Sequence, residues 1–290
     1  MWLVILAALA VATSAPLAKA AVGLSPLAIA AGRTAVASIA ITVMRPRATL
    51  RAIAALDPKS RRSVAIGGLL LAAHFALFLG GLAKTSLPAA VALVSLEPLS
   101  VILAAFVAFG IRPTQRELAG VLLATFGAVV VASGAGQGEH RIAGDALVLG
   151  AVVLYGAYVA MARALRDAMP VLPYAAAVYG VASLLLLPFA VAATRGEATP
   201  PPLASWGAVV ALGLVPTLVG HTLTQAAARR VAPPIVALVA PGETVGALAI
   251  GAVALSTFPS WLEAAGAGLI VVGATLAILG RPKGPGAAPS

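Results

Sequence analysis

The 290-residue chain contains no cysteine, which excludes disulfides, thiolate nucleophiles and Cys-based metal sites. Its three histidines form no His-Glu-x-x-His or His-x-x-x-His pair, so no metal centre is expected. Charge is equally scarce: 19 basic and 9 acidic residues make up 10% of the chain. Apolar residues make up 61%, and the mean hydropathy is +1.05. A soluble domain of this size would present one continuous apolar patch, whereas disorder needs low hydrophobicity. Composition therefore dictates a polytopic membrane protein. The net charge of +10 does not indicate nucleic acid, because that requires Lys and Arg clustered on one face or stripe. Here they occupy short gaps between apolar runs, where topology signals lie.

Enzyme signatures are missing too. Gly81-Leu-Ala-Lys84-Thr85 lacks the glycine before lysine that a phosphate-binding loop needs. Gly134-Ala-Gly136-Gln-Gly138 follows no strand and is no dinucleotide fingerprint. Neither an Asp-rich pair nor a Gly-x-Ser-x-Gly elbow occurs, so an enzyme and a bound cofactor are not expected.

What is present is a series of apolar runs long enough to cross a bilayer. They fall at about 2–22, 26–44, 63–83, 87–109, 117–135, 144–163, 172–193, 204–228, 232–254 and 261–280, which predicts ten transmembrane helices. Ala18-Lys19-Ala20 resembles a signal-peptide cleavage site, but Met1-Trp2 carries no basic residue, so retention of the first helix is expected. The gaps at 45–62, 110–116, 163–171, 229–231 and 281–283 hold fourteen Lys and Arg. The other side holds four, Lys19, Lys84, Arg141 and Arg195. This bias predicts both termini in the cytoplasm of a cell (inner or plasma) membrane.

The chain also repeats itself at an offset of 146 residues. Gly67 matches Gly213, Pro88 Pro234, Glu97 Glu243, Glu117 Glu263, Gly120 Gly266, and Gly127 Gly273. Each half then holds five helices, and an odd number forces the halves into opposite orientations, the inverted-repeat plan of secondary transporters. The expected fold is an all-α membrane protein of two inverted five-helix repeats, 1–136 and 137–290.

Several motifs carry a family resemblance. Pro26-Leu-Ala-Ile-Ala-Ala-Gly-Arg33, Leu82-Ala-Lys84-Thr-Ser, Glu97-Pro98 and the Gly120 and Gly127 pair do so in the first half. Gly220-His-Thr-Leu, Ala228-Arg-Arg and Gly242-Glu243 follow in the second. In this order they resemble the EamA type of the drug/metabolite transporter superfamily. The acidic Leu-Gly-Glu turns of that family are replaced by Gly110-Ile111 and Ser256-Thr257. The first helix lacks the usual Trp, although Thr13-Ser14 and Lys19 fit its later positions. The resemblance implies ten helices and a substrate among amino acids, amines, nucleobase-type metabolites or drugs.

Ionisable groups inside a bilayer are costly and need a reason. Glu97 and Glu243 fall near mid-depth and are related by the repeat. They read either as a carboxylate pair that binds amines or carries protons, or as caps for carbonyls freed by Pro98 and Pro241. His74 and His221, with Gln225 one turn beyond His221, read as proton relays or as neutral hydrogen-bond donors. Arg33 cannot lose its charge. It needs a carboxylate, carbonyls or an anionic substrate group, and an internal ion pair is the expectation. Tyr155 and Tyr158, at i and i+3, line a cavity or pack. Tyr174 and Trp206 sit at span ends, where interfacial aromatic belts occur. Lys19 completes the candidate set. The sequence thus points to a secondary transporter that exports small metabolites (amino-acid-like, amine or drug-like) by alternating access, with protons and the bilayer as further partners. A homodimer is compatible with it. A membrane-embedded transferase, and a channel or scaffold, are the alternatives from other classes.

Overall fold

The computed structural model describes residues 1–85, 87–134, 141–194, 200–254 and 259–280. Gly136, Gly138, Arg195, Ser256, Thr257, Arg281 and Lys283 lie outside the described residues, as does the side chain of Pro88. Among the described residues, ten helices are long and apolar enough to cross a membrane. These spans are 1 (Trp2–Ala20), 2 (Pro26–Met44), 3 (Pro58–Leu82), 4 (Ala92–Phe109), 5 (Gln115–Ser133), 6 (Ile142–Ala164), 7 (Val171–Ala193), 8 (Leu203–Ala228), 9 (Pro233–Ile250) and 10 (Trp261–Leu279). No strand occurs among the described residues.

Helix starts follow the local chemistry. Ser25 accepts a hydrogen bond from the Ala28 N–H ahead of Pro26, and Asp57 accepts one from the Ser60 N–H ahead of Pro58. The Asp57 cap starts span 3 five residues before the apolar run, so Arg61 and Arg62 lie on its first turns. Thr114 with Glu117, and Ser260 with Glu263, form capping boxes at the starts of spans 5 and 10. The repeat-matched pair Glu117 and Glu263 therefore caps helices. A short helix, Pro46–Ala54, joins spans 2 and 3, and its last carbonyl accepts a hydrogen bond from Arg61.

Four spans depart from regular α-helix. Span 1 is interrupted at Ala12-Thr13, span 4 at Ser95-Leu96 and span 9 at Leu238. Span 8 widens into a π-helix over Gly213–His221. Its cause is local: Pro216 has no N–H for the Leu212 carbonyl, and the Thr217 hydroxyl donates to that carbonyl instead, at 2.7 Å.

Span 2 packs on span 7, 5 on 10, 3 and 4 on 6, and 8 and 9 on 1. The 5–10 contact is backbone to backbone. A Cβ at Gly127 would lie 2.7 Å from the Gly266 oxygen, and one at Gly266 would lie 2.7 Å from the Gly127 oxygen. Spans 2 and 7 exchange serine bonds, Ser38 to the Ala176 carbonyl and Ser183 to the Ala31 carbonyl. Small residues thus bring the helices close enough for such contacts. Large apolar side chains such as Leu103, Val107, Phe126 and Phe189 are exposed around the bundle, as contact with lipid tails requires. Thr114 at the start of span 5 donates to Gly280 after span 10, at the end of the bundle where span 1 begins. Ser205 on span 8 donates to Val22 at the opposite end.

Candidate functional site

The helix interruptions gather polar groups at mid-depth. The span 1 break places Ser14 at the first position of its second segment, the span 4 break does the same for Glu97, and the π-helix carries Thr217 and His221. Glu243 follows the span 9 break by one turn. Ser14, Arg33, His74, Glu97, Tyr155, His221 and Glu243 all line one chamber of about 30 Å³ with Phe75 and Phe78. Six of the nine sequence candidates therefore meet at one place.

Phe78, Val94 and Glu243 also line a second cavity, of about 380 Å³, in the half of the bundle away from the start of span 1. Its walls are mainly alkyl: Ala12, Ala15, Leu82, Val131 and Leu248, with Ser95, Thr244 and Glu263 as polar exceptions. The chamber thus continues toward one end of the molecule.

At the opposite end arginines tie the spans together. Arg163 on span 6 donates to the carbonyls of Ala228 and Val231, at 3.0 and 2.9 Å, capping the end of span 8. Arg229 donates to the Met169 carbonyl at 2.7 Å and lies 4.6 Å from the centre of the Tyr174 ring. Tyr174 is consequently buried, contrary to its expected place in an interfacial belt. A guanidinium from the span 8–9 turn covers the ring and holds it inside. Trp206 is 45% exposed, as its position at a span end implies.

Arg33 departs from expectation more sharply. It is fully buried, and its Nε donates to the Thr217 hydroxyl at 2.9 Å and its Nη1 to the Ser14 hydroxyl at 3.1 Å. Its Cζ lies 4.2 Å from the Phe75 ring centre. No ion pair forms at Arg33 among the described residues, because hydroxyls from spans 1 and 8 reach it first. The same Thr217 oxygen that serves the Pro216 gap thereby anchors the guanidinium.

His74 donates through Nδ1 to the Ala151 carbonyl at 2.9 Å, which fixes its ring against span 6. His221 packs edge-on against Phe75, and its Nδ1 is buried without a partner. Gln225 and Tyr158 do not line the chamber: the Gln225 amide donates to the Tyr158 hydroxyl, forming a buried strut between spans 6 and 8. Lys19 is exposed and outside both cavities. The sequence reading missed Tyr179, whose hydroxyl donates to the Thr217 carbonyl at 3.1 Å and lies 3.0 Å from that of Thr222. A phenol mid-span was the available signal. Phe75 and Thr217 gave none, being ordinary residues in an apolar helix.

Ten spans around a polar chamber, with interrupted helices at its walls, define a multi-pass membrane transporter. The EamA-like transporter family matches residues 1–133 and 142–279, and the chain belongs to that family. It is 28% identical over 261 residues to a probable terminal-alkyne amino-acid exporter of Streptantibioticus cattleyicolor, covering 90% of this chain and 82% of that protein. A solved crystal structure of another protein superposes with a TM-score of 0.76 at 23% identity, covering 96% of each chain. That likeness concerns the fold.

Proposed function

We propose that the protein exports a small amino-acid-like metabolite by alternating access, with the polar chamber as its binding site and Glu97 and Glu243 as the proton-coupling groups. The observation that carries this reading is the convergence of both carboxylates, Arg33 and two histidines on one chamber that adjoins a larger cavity toward the end away from the start of span 1. The amino-acid class is supported by the name of the Streptantibioticus relative.

Alternating access needs two related packings, and an inverted repeat of 1–136 and 137–290 supplies them. Reciprocal contacts favour that division. Under the 146-residue offset the close approach of Gly127 to Gly266 corresponds to that of Gly273 to Gly120, and both occur. The capping boxes at Thr114 and Ser260 stand at the same offset. On the positive-inside bias, the arginine-tied end faces the cytoplasm and the larger cavity faces outward. A reporter fused after Ser290 should then be active only in its cytoplasmic form, and one in the 194–203 loop only outside. A C-terminus outside would refute the orientation.

The mechanism follows from exposure to water. Opening a carboxylate to one aqueous side lets it exchange a proton there, and reorientation presents it to the other side. In proteoliposomes, an imposed pH gradient should drive accumulation by the wild type. Glu243→Gln should retain the fold and exchange but lose gradient-driven accumulation, and Glu97→Gln should do the same. Wild-type flux indifferent to the gradient would leave a facilitator in which the two carboxylates bind or brace.

A further inference from the structure

Arg33 has a donor left over. Of its guanidinium nitrogens, Nε and Nη1 are taken by Thr217 and Ser14, while Nη2 is buried with no hydrogen-bond partner. A guanidinium stays charged in proteins, and burying a charge is costly unless it is paired. The two hydroxyls and the Phe75 face hold the group in place without neutralising it. Glu243 lines the same chamber but forms no ion pair with it. A charged fork, held by two hydroxyls and with Nη2 unpaired, lines the chamber.

We propose that Arg33 is the docking group for a carboxylate on the transported molecule, and that the molecule's apolar remainder lies in the larger cavity. The proposal rests on the exporter reading in taking the chamber as the substrate site. Dimensions support the division of the ligand. The chamber of about 30 Å³ has room for a polar head group, whereas the adjoining 380 Å³ is walled by alkyl groups such as Ala12, Leu82 and Val131. Glu243 borders both spaces and is the acceptor for an ammonium carried next to the carboxylate. The substrate class is therefore a small α-amino acid with an apolar side chain. Its carboxylate takes Nη2, its ammonium faces Glu243, and its side chain points along the larger cavity. A brace between spans 1, 2 and 8 is the rival role for Arg33, and it makes no demand on the ligand.

The test uses the purified full-length protein and radiolabelled L-norvaline. L-leucine and pentanoate compete as further carboxylates, L-norvalinamide and butylamine as analogues without one. Loss of the carboxylate should weaken competition roughly thirtyfold or more, the scale for removing one partner of a buried charge pair. Arg33→Gln should abolish this preference, and Arg33→Lys should restore part of it, since lysine keeps the charge but not the fork. Should Arg33→Gln not fold, Ser14→Ala and Thr217→Val loosen the guanidinium and should reduce the preference for carboxylates. Equal competition by norvalinamide, an Arg33→Gln preference like the wild type's, or no binding of any carboxylate would overturn the proposal. Carboxylate-dependent binding without flux in proteoliposomes would instead refute the exporter reading and leave the docking role standing. Flux of the amine or amide independent of Arg33 would do the reverse.

Discussion

The contact between spans 5 and 10 gives the most direct quantitative prediction, because glycine alone permits it. A Cβ at Gly127 would sit 2.7 Å from the Gly266 oxygen, 2.8 Å from the Ile270 nitrogen and 2.9 Å from the Leu269 Cβ. Two of these neighbours are backbone and cannot rotate away. Ordinary contact begins at 3.4 Å, so Gly127→Ala must push the helices apart by several tenths of an ångström. Overpacking of this kind costs about 1–3 kcal/mol. Alanine's better helix propensity returns up to about 1 kcal/mol, leaving a net loss of about 0–2 kcal/mol, with the close backbone contacts placing it toward the upper end. Gly266→Ala meets Gly127 in the same way and should cost the same. Combining Gly120→Ala with Gly127→Ala should cost less than the sum, because one separation of the helices relieves both. Gly268, on the same span 10, is the control: nothing lies within 4 Å of its Cβ position, so Gly268→Ala should be neutral or slightly stabilising. The assay is the apparent melting temperature of purified protein in detergent, read from the monodisperse fraction remaining after heating. Gly127→Ala melting with Gly268→Ala at or above the wild type would refute the close backbone seam.

Two more predictions follow from polar contacts at the end where span 1 begins. Arg163→Gln removes both bonds to the Ala228 and Val231 carbonyls, and a hydrogen bond to a charged group is worth about 1.5–3 kcal/mol. Since the chain has no native cysteine, a single cysteine at Val239, which lines the chamber, can report access. Its labelling by an impermeant thiol reagent added at that end should rise at least about tenfold, the factor for one such bond at its weakest, and an unchanged rate would show that these bonds do not close the path. At Asp57, hydrogen bonds from the Ser60 hydroxyl and then its backbone N–H hold the carboxyl below the usual carboxylate range. A group depressed in this way stabilises the fold above its ordinary range, and that contribution is lost as pH falls through the lowered value. Asp57→Asn keeps the cap without the charge, so its melting temperature should vary less with pH on the acid side. Superimposable curves for the two proteins would contradict the prediction.

The crossing segments were legible in the residues themselves, because about twenty consecutive apolar residues with a handful of charges have no other stable place than a bilayer. Helix starts are also set locally, although the apolar run by itself placed the start of span 3 at 63 and not at Pro58, where the Asp57 cap puts it. Ser25-Pro26, Asp57-Pro58 and Ser260 with Glu263 act over three residues, within reach of their own chain. The repeat-related Glu97 and Glu243, with Arg33, His74 and His221, stood out as polar residues in apolar runs, and the chamber brings them together. Only the tertiary structure decided what each one meets. Arg33 finds hydroxyls 19 and 184 residues away in place of a carboxylate, Gln225 finds Tyr158 rather than the chamber, and Tyr174 is covered by Arg229. Tyr179 enters through contacts 38 and 43 residues distant. In a soluble helix the apolar face marks the inside. In lipid the outside is as apolar as the core, so periodicity does not show which side chains face a partner, and only the packed bundle assigns them.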